Sequence, residues 1–384
     1  MKILQVVSFF SPMRGGGIVA VAYQLSRALA QRGHEVTIYT SDFALDRGYI
    51  DSLGGVKVRT FHSYLSLCGR PLFMPGIVGA ARKELMDFDI VHMHGYRGFH
   101  YLVLRHYARK YGIPYIVDAH GATARNSYGM FRHIVDMCFG RWILKDATKV
   151  IAETEQGTRE YVDAGISQDR IAILYPNFPV EDFGSLPPAQ CFKERYNVGD
   201  KSVIMFMGRI AGVKGIDFLL SSFRELTRQR DAVVLTIVGA DDGYRANLQK
   251  MIGELNLSDK VIFTGYLDGE EKLAALQDAS MLVLPSVYEQ GLPKPCIEAT
   301  LCGTPFVITK DTGAAVIASQ MGAGYQVEYG NRDELKDMMQ YILGNRDEAA
   351  INVEKAKKYI MANLSLEKGI EDYENLYYTC VNHT

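Results

Sequence analysis

Two cations, two carboxylates and a handful of histidines have the types and spacing to do chemistry. Arg209 and Lys214 lie in MFMGRIAGVKGIDFLLSSF, after an apolar run that ends at Gly208. Cations that close a buried strand stand where open α/β sheets bind ligands, and they suit an anionic one. The second group is EQGLPKPCIE, residues 289–298, with Glu289 and Glu298 at its ends, Gln290 beside the first, and Pro293 and Pro295 between. A helix beginning near Pro295 aims its N-terminus at the same crevice and favours a phosphate. The flanking carboxylates accept hydrogen bonds from sugar or ribose hydroxyls. Solvated surface charges and a helix cap are the plainer alternatives, and the two groups together argue for a ligand.

Other candidates are weaker singly. The glycines of SPMRGGGIVAVAYQLSRALAQRGHEV precede a helical stripe of Val19, Tyr23, Leu25 and Leu29. Gly15, Gly17 and Ala20 match a dinucleotide fingerprint in form, but Ser8 to Arg14 separate them from the strand they should follow. A glycine loop opening a helix over residues 17–32 offers its N–H groups to a phosphate or a sugar. His120 ends PYIVDAH, where it is either a ligand contact or a hydrogen-bonded core residue. His92 and His94 share one face of DIVHMH like a metal pair, yet no third ligand stands at convincing spacing, so no metal is expected. Asp87-Phe88-Asp89 reads as turn chemistry. Residues 128–145 mix aromatic and basic side chains at helical spacing, which fits a packed helix or one that meets a membrane.

These residues need elements to hold them. KILQVV, EVTIYT, DIVHMH, PYIVDAH and TKVIAE alternate with helical stretches in the first half, and SVIMFMG, VVLTIVG, KVIFTG, SMLVLP and PFVIT do so in the second. Continuous Val/Ile runs mean strands buried on both faces, and βα alternation means parallel sheets. The stretch LYPNFPVEDFGSLPPAQ, residues 174–190, is rich in proline and reads as a boundary between domains. The last segment, EKGIEDYENLYYT, has helical spacing at Ile370, Tyr373, Leu376 and Tyr377.

The 384 residues favour two domains, and 48% hydrophobic with 22% charged residues is the balance of a globular chain. Six scattered cysteines without a Cys-x-x-Cys pair suit a reducing cytosol better than a disulfide scaffold or zinc site. The N-terminal apolar run is broken by Gln5 and reads as a first strand and not a signal peptide. No run of about 18 apolar residues suggests a membrane span. The net charge of −2 hides an asymmetry: residues 1–180 carry 21 Lys+Arg against 15 Asp+Glu, and the remainder 21 against 29. A basic first half can attract an anionic partner such as a membrane surface. Nucleic acid has no support from a pI near 6.5 and no basic aromatic motif.

Taken together, the glycines before LSRALAQRGHEV, the histidine after IVDA, LYPN, GRIAGVKG and PSVYE…IEAT.CGTPFV resemble the retaining GT-B glycosyltransferases of the large group 1 family, glycosyltransferase family 4, over nearly the whole chain. The resemblance implies two facing Rossmann-like doubly wound domains, with a C-terminal helix packing back on the first. Its boundaries are 1–178 for an acceptor domain, 179–198 for a linker, 199–364 for a nucleotide-sugar domain and 365–384 for the crossover helix. It implies a nucleotide-sugar donor, a glycan or lipid-linked acceptor, no metal or other cofactor, and a cytoplasmic enzyme that can associate with a membrane. Arg209 and Lys214 fall on the pair that grips the donor diphosphate, Glu298 on the ribose carboxylate and His120 on the histidine near the donor sugar. Gly16 or Gly17 falls on the glycine contacting donor or acceptor, and Gly208, Gln290, Gly291 and Leu292 on the donor side.

Two departures stand out. The family's glutamates are separated by seven residues, whereas eight separate Glu289 from Glu298, so Gln290 competes with Glu289 for the front position. A charged carboxylate is the stronger acceptor and Gly291 can absorb one extra residue, which favours Glu289. The usual SDxGG reads KDTGAA here. The alternatives are an NAD(P)-dependent oxidoreductase using Gly15, Gly17, Ala20 and Asp42, or a nucleotide-sugar-binding protein without turnover.

Overall fold

The computed structural model describes residues 1–67, 70–120, 140–175, 178–289, 291–310 and 312–382. They form two compact units, Met1–Asn177 with Leu366–Thr384, and Phe178–Ser365. Each unit is a Rossmann-like α/β domain.

The first unit holds the parallel strands β1 (Lys2–Val7), β2 (Glu35–Ser41), β3 (Lys57–Phe61), β6 (Ile90–His94), β7 (Tyr115–Asp118), β8 (Lys149–Ala152) and β9 (Ile171–Ile173). A small hairpin, β4 (Leu65–Leu67) and β5 (Arg70–Phe73), stands apart. The main sheet runs β3-β2-β1-β6-β7-β8-β9. Alternation along each strand divides its residues between two cores. Leu4, Val6, Val91, Met93, Val117 and Val150 point to one, while Ile3, Ile90, Ile116 and Ile151 point to the other. The C-terminal helix Leu366–Asn382 covers the second face with Ile370, Tyr373 and Tyr377, the spacing read from sequence, and adds Cys380. Each such side chain contributes roughly 1.5–3 kcal/mol by leaving water.

The second unit repeats the plan with β10 (Ser202–Met207), β11 (Val233–Val238), β12 (Val261–Gly265), β13 (Met281–Leu284), β14 (Phe306–Thr309) and β15 (Tyr325–Val327), in the order β12-β11-β10-β13-β14-β15. β1/β6 and β10/β13 are thus the strand pairs from which the chain winds outward in opposite senses. Loops at their carboxyl ends diverge there and leave a crevice.

Helices expected over 98–111, 215–229, 243–256 and 269–279 are found at Phe99–Tyr111, Ile216–Thr227, Arg245–Glu254 and Gly269–Asp278. The first helix differs from expectation. It begins at Pro12, not near residue 17, and runs to Gln31. Proline is tolerated in a first turn because its missing N–H would lack an intrahelical partner anyway. Gly15, Gly16 and Gly17 therefore lie inside the helix and not in a loop ahead of it. Of the segment 128–145, residues 128–139 lie outside the described residues, and Arg141–Asp146 is helical. Residues 179–198 hold a short turn, Val180–Phe183, and a helix, Cys191–Arg195. Asp278 fastens that helix, accepting from the backbone N–H groups of Gln190 (2.7 Å), Phe192 (2.9 Å) and Lys193 (3.2 Å). No helix among the described residues is long and apolar enough to cross a membrane.

Candidate active site

In the second unit the candidates gather at the carboxyl ends of β10 and β13. Gly208 follows β10 and donates its N–H to the Val238 carbonyl at 2.9 Å. It is crossed so closely by Gly239 that a Cβ there would overlap the Gly208 carbonyl oxygen. Arg209 comes next, exposed and ion-paired with Asp242. Lys214 closes a single 3-10 turn, and Gly215 follows in the left-handed region at φ 66°. A Cβ on Gly215 would overlap the Pro285 carbonyl oxygen, so only glycine lets the chain pass under the end of β13 and start the helix Ile216–Thr227.

That passage sets Lys214 against the loop after β13. Its Nζ forms an ion pair with Glu289 Oε1, and both side chains are largely buried. Ser286 Oγ donates to the same oxygen at 2.7 Å. The Glu289 carbonyl accepts the N–H of Gly313 at 2.7 Å, and Thr312 caps the helix Gly313–Gln320 by accepting from Ala315 N–H. Within KDTGAA, Gly313 thus anchors the loop that bears Glu289 and Thr312 caps the helix behind it. Gly291 and Leu292 are buried behind it, and Gln290 lies outside the described residues. Glu298, on the helix Lys294–Leu301, pairs with Lys272 at 2.8 Å. The structure brings Lys214 and Glu289 together and gives Arg209 and Glu298 partners of their own. Ser286 and Lys272 escaped the sequence reading, since a serine after a strand and a lysine on an amphipathic helix carry no signal by themselves.

In the first unit His120 stands two residues past β7, at φ 47°. A left-handed backbone on a histidine is uncommon, and such strain concentrates at functional sites. Its N–H donates to Asp118 Oδ1 at 3.0 Å, and its ring Nδ1 lies 3.4 Å from both Asp118 Oδ1 and Glu153 Oε1. Burial pushes the Asp118 carboxyl up to about 6, with His120 opposing the shift and Glu153 adding to it. His94 Nδ1 contacts His120 Nε2 at 3.1 Å, and the two rings stack with 8° between their planes. His92 and His94 each give a ring nitrogen to a protein partner. His92 Nδ1 lies 2.8 Å from Tyr377 Oη, and His94 Nε2 lies 2.7 Å from Gln5 Oε1. Burial holds both imidazoles well below the usual histidine range, hence neutral.

Gly17 is exposed, and a Cβ added there would meet nothing within 4 Å. Asp42, the ribose acid of the oxidoreductase alternative, accepts instead from the Ser63 N–H at 3.0 Å and pairs with His62 at 2.6 Å. With the glycines inside a helix, that alternative also lacks the tight turn after β1 on which a dinucleotide fingerprint depends.

A family model described as glycosyl transferases group 1 matches residues 191–359, and one described as glycosyltransferase family 4 matches residues 15–181. An uncharacterized glycosyltransferase of Methanocaldococcus jannaschii is 24% identical over 396 residues, covering 98% of each chain. A GDP-mannose-dependent alpha-(1-6)-phosphatidylinositol monomannoside mannosyltransferase of Mycolicibacterium smegmatis is 25% identical over 320 residues, covering 81% of each. Among solved structures, HepE of Anabaena in complex with UDP-glucose matches with a TM-score of 0.83 at 16% identity, covering 99% of this chain and all of that one.

Proposed function

Because this chain belongs to the group 1 glycosyltransferases of the GT-B fold, we propose that it transfers a sugar from a nucleotide-diphospho-sugar to a glycan or lipid-linked acceptor, with retention of configuration and without a metal. The observation that carries this reading is Lys214 held by Glu289 at the β10/β13 crevice. An ammonium anchored there can meet the negative charge that grows on the leaving diphosphate as the bond to the sugar breaks. Arg209, exposed at the end of the same strand, can supply a second cation.

The bond from the anomeric carbon to the diphosphate oxygen breaks, and the acceptor oxygen bonds to that carbon from the same face. The acceptor's proton passes to the departing diphosphate. Glu298 takes ribose hydroxyls and Glu289 takes sugar hydroxyls, each as an ionised acceptor. His120 serves the donor sugar. In the second unit Gly208, Gly291 and Leu292 serve the donor through their backbone, with Gln290 as the competitor of Glu289; in the first, Gly16 or Gly17 contacts donor or acceptor.

Asp118, His120 and Glu153 have ligand atoms within 4.8 Å of one another, a spacing a cation can also use. We take the group as a histidine held by two carboxylates, since the cationic work falls to Lys214 and Arg209 in the other unit. The domain roles follow the boundaries given above: 1–178 for the acceptor, 179–198 as linker, 199–364 for the donor and 365–384 crossing back. The basic excess of residues 1–180 supports a reaction beside an anionic membrane surface, and six scattered cysteines suit a cytoplasmic setting. Such binding to anionic vesicles weakens as salt rises, because the Debye length falls from roughly 10 Å at 0.1 M to 3 Å at 1 M.

The test is a thermal-shift panel of UDP-, GDP- and ADP-sugars. A true donor at 100-fold excess over its Kd stabilises the fold by about 2.7 kcal/mol. If no nucleotide sugar moves the transition, the reading is wrong.

A further inference from the structure

A line of polar side chains crosses the otherwise apolar face of the first unit. It starts on the C-terminal helix at Tyr377, whose Oη accepts from Gln5 Nε2 at 3.1 Å. Gln5 is fully buried in the central strand β1, directly opposite His92 of β6 in the parallel register. Its Oε1 lies 2.7 Å from His94 Nε2, and His94 Nδ1 lies 3.1 Å from His120 Nε2. Tyr377 also meets His92 Nδ1 at 2.8 Å, and among the described residues His92 Nε2 has no hydrogen-bond partner. Ile3 and Ile90 occupy the same face one step earlier on their strands. Buried polar groups need partners that apolar residues do not, so the polar set needs a reason beyond packing.

Such a chain has a direction. A neutral His94 carries one ring proton, and Gln5 Oε1 can only accept, so that proton sits on Nε2. His94 Nδ1 is then an acceptor, and His120 Nε2–H donates to it. Turning the amide over would put its NH2 on His94 Nε2 and move the His94 proton to Nδ1. His120 Nε2 would then become the acceptor. The histidines can follow either direction. Gln5 and its anchor bias the choice from one end, and Asp118 and Glu153, 3.4 Å from His120 Nδ1, favour a proton on that nitrogen from the other.

We propose that Tyr377 and Gln5 are positioning residues for His120, fixing through His94 the orientation of its ring and the proton on Nε2. The C-terminal helix thereby reaches a residue 257 positions earlier in the chain. The catalytic consequence rests on the role proposed for His120, whereas the hydrogen-bond chain itself does not.

Tyr377→Phe keeps the ring in its packing and removes the acceptor of the Gln5 amide N–H. A buried N–H without a partner is costly, so the amide turns toward His94 and the His120 proton pattern changes. Tyr373→Phe alters a neighbouring tyrosine of the same helix, whose ring lies 5.7 Å from His92, and leaves the chain intact. The readout is ring 15N NMR on histidine-labelled, ligand-free enzyme, with the His120 signals assigned by their loss in His120→Asn. Wild type and Tyr373→Phe should share one pattern with Nε2 protonated, and Tyr377→Phe should depart from it. In sugar transfer, Tyr377→Phe should lower kcat about tenfold with the donor KM within about twofold. An unchanged His120 pattern in folded Tyr377→Phe overturns the inference. If instead His120→Asn transfers sugar at the wild-type rate, the role of His120 fails while the ring pattern still judges the chain.

Discussion

Replacing Lys214 by alanine separates the ion pair that this side chain makes from the role proposed for it. At rest it neutralises Glu289, and on the proposed reading it stabilises the leaving diphosphate. Both members of the pair are about one-fifth exposed, so the attraction is worth more than in open water but is partly screened. Deleting the lysine leaves the Glu289 carboxylate with only Ser286 as hydrogen-bond donor among the described residues, at a cost of about 1 kcal/mol. In a unit of roughly 190 residues, that lowers Tm by about 2–4 °C. Turnover should fall far more, by about 10²–10³, the usual cost of removing one preorganised charge donor. The variant Lys214→Ala/Glu289→Gln distinguishes the effects, because removing the orphaned charge restores most of the stability and none of the rate. Differential scanning calorimetry and initial rates of nucleoside diphosphate release measure the two sides. If the double variant recovers turnover along with Tm, the lysine is only half of a structural pair and the leaving-group argument fails.

Gly215→Ala should be more damaging to the fold than Lys214→Ala, by at least about 2 kcal/mol, since the added methyl meets the Pro285 carbonyl at a positive φ; an unchanged melting temperature refutes that geometry. Asp118 titrates near 6 when folded against an ordinary 3.8, so the native state binds the extra proton and stability falls as pH rises from about 4 to 6. Asp118→Asn should flatten that decline in chemical denaturation, and a parallel pH profile would show that burial does not raise this carboxyl. Excess EDTA should leave turnover within about twofold, a few tenths of a kcal/mol. Loss of activity restored by a divalent ion would reassign Asp118, His120 and Glu153.

The fold was largely legible because burial on both faces writes continuous apolar runs into the strands. It also sets Ile370, Tyr373 and Tyr377 one helical face apart. The start of the first helix was not, since Pro12 and three glycines resemble a loop until the chain's direction is known. In the site, Lys214 and the glutamates were visible from charge at strand ends. The partners Lys272 and Ser286 were not, because an ion pair across 26 residues is set by how two helices pack and not by local pattern. Gln5 did show itself, as the one polar interruption of the first apolar strand. What it meets could not be read: Tyr377 is 372 positions away, and only the register of β1 against β6 and the docking of the last helix unite them.

Geometry bears on the carboxylate that begins the stiff loop of residues 289–298. Both contacts of Glu289, from Lys214 and Ser286, go to Oε1, so among the described residues Oε2 has no hydrogen-bond partner. An ionised carboxylate accepts through both oxygens, whereas a glutamine offers only one. On the proposed reading, one oxygen therefore keeps the leaving-group cation in place while the other takes a hydroxyl of the sugar being released. Holding both ends of the breaking bond from a single side chain demands that this side chain not rotate. The Glu289 carbonyl tied to Gly313, the buried Leu292 and the Pro293 that ends the loop each remove a freedom that would let it. Rigidity placed there keeps donor and cation at fixed separation before reaction, which is the condition under which an electrostatic contact favours the transition state over the bound substrate.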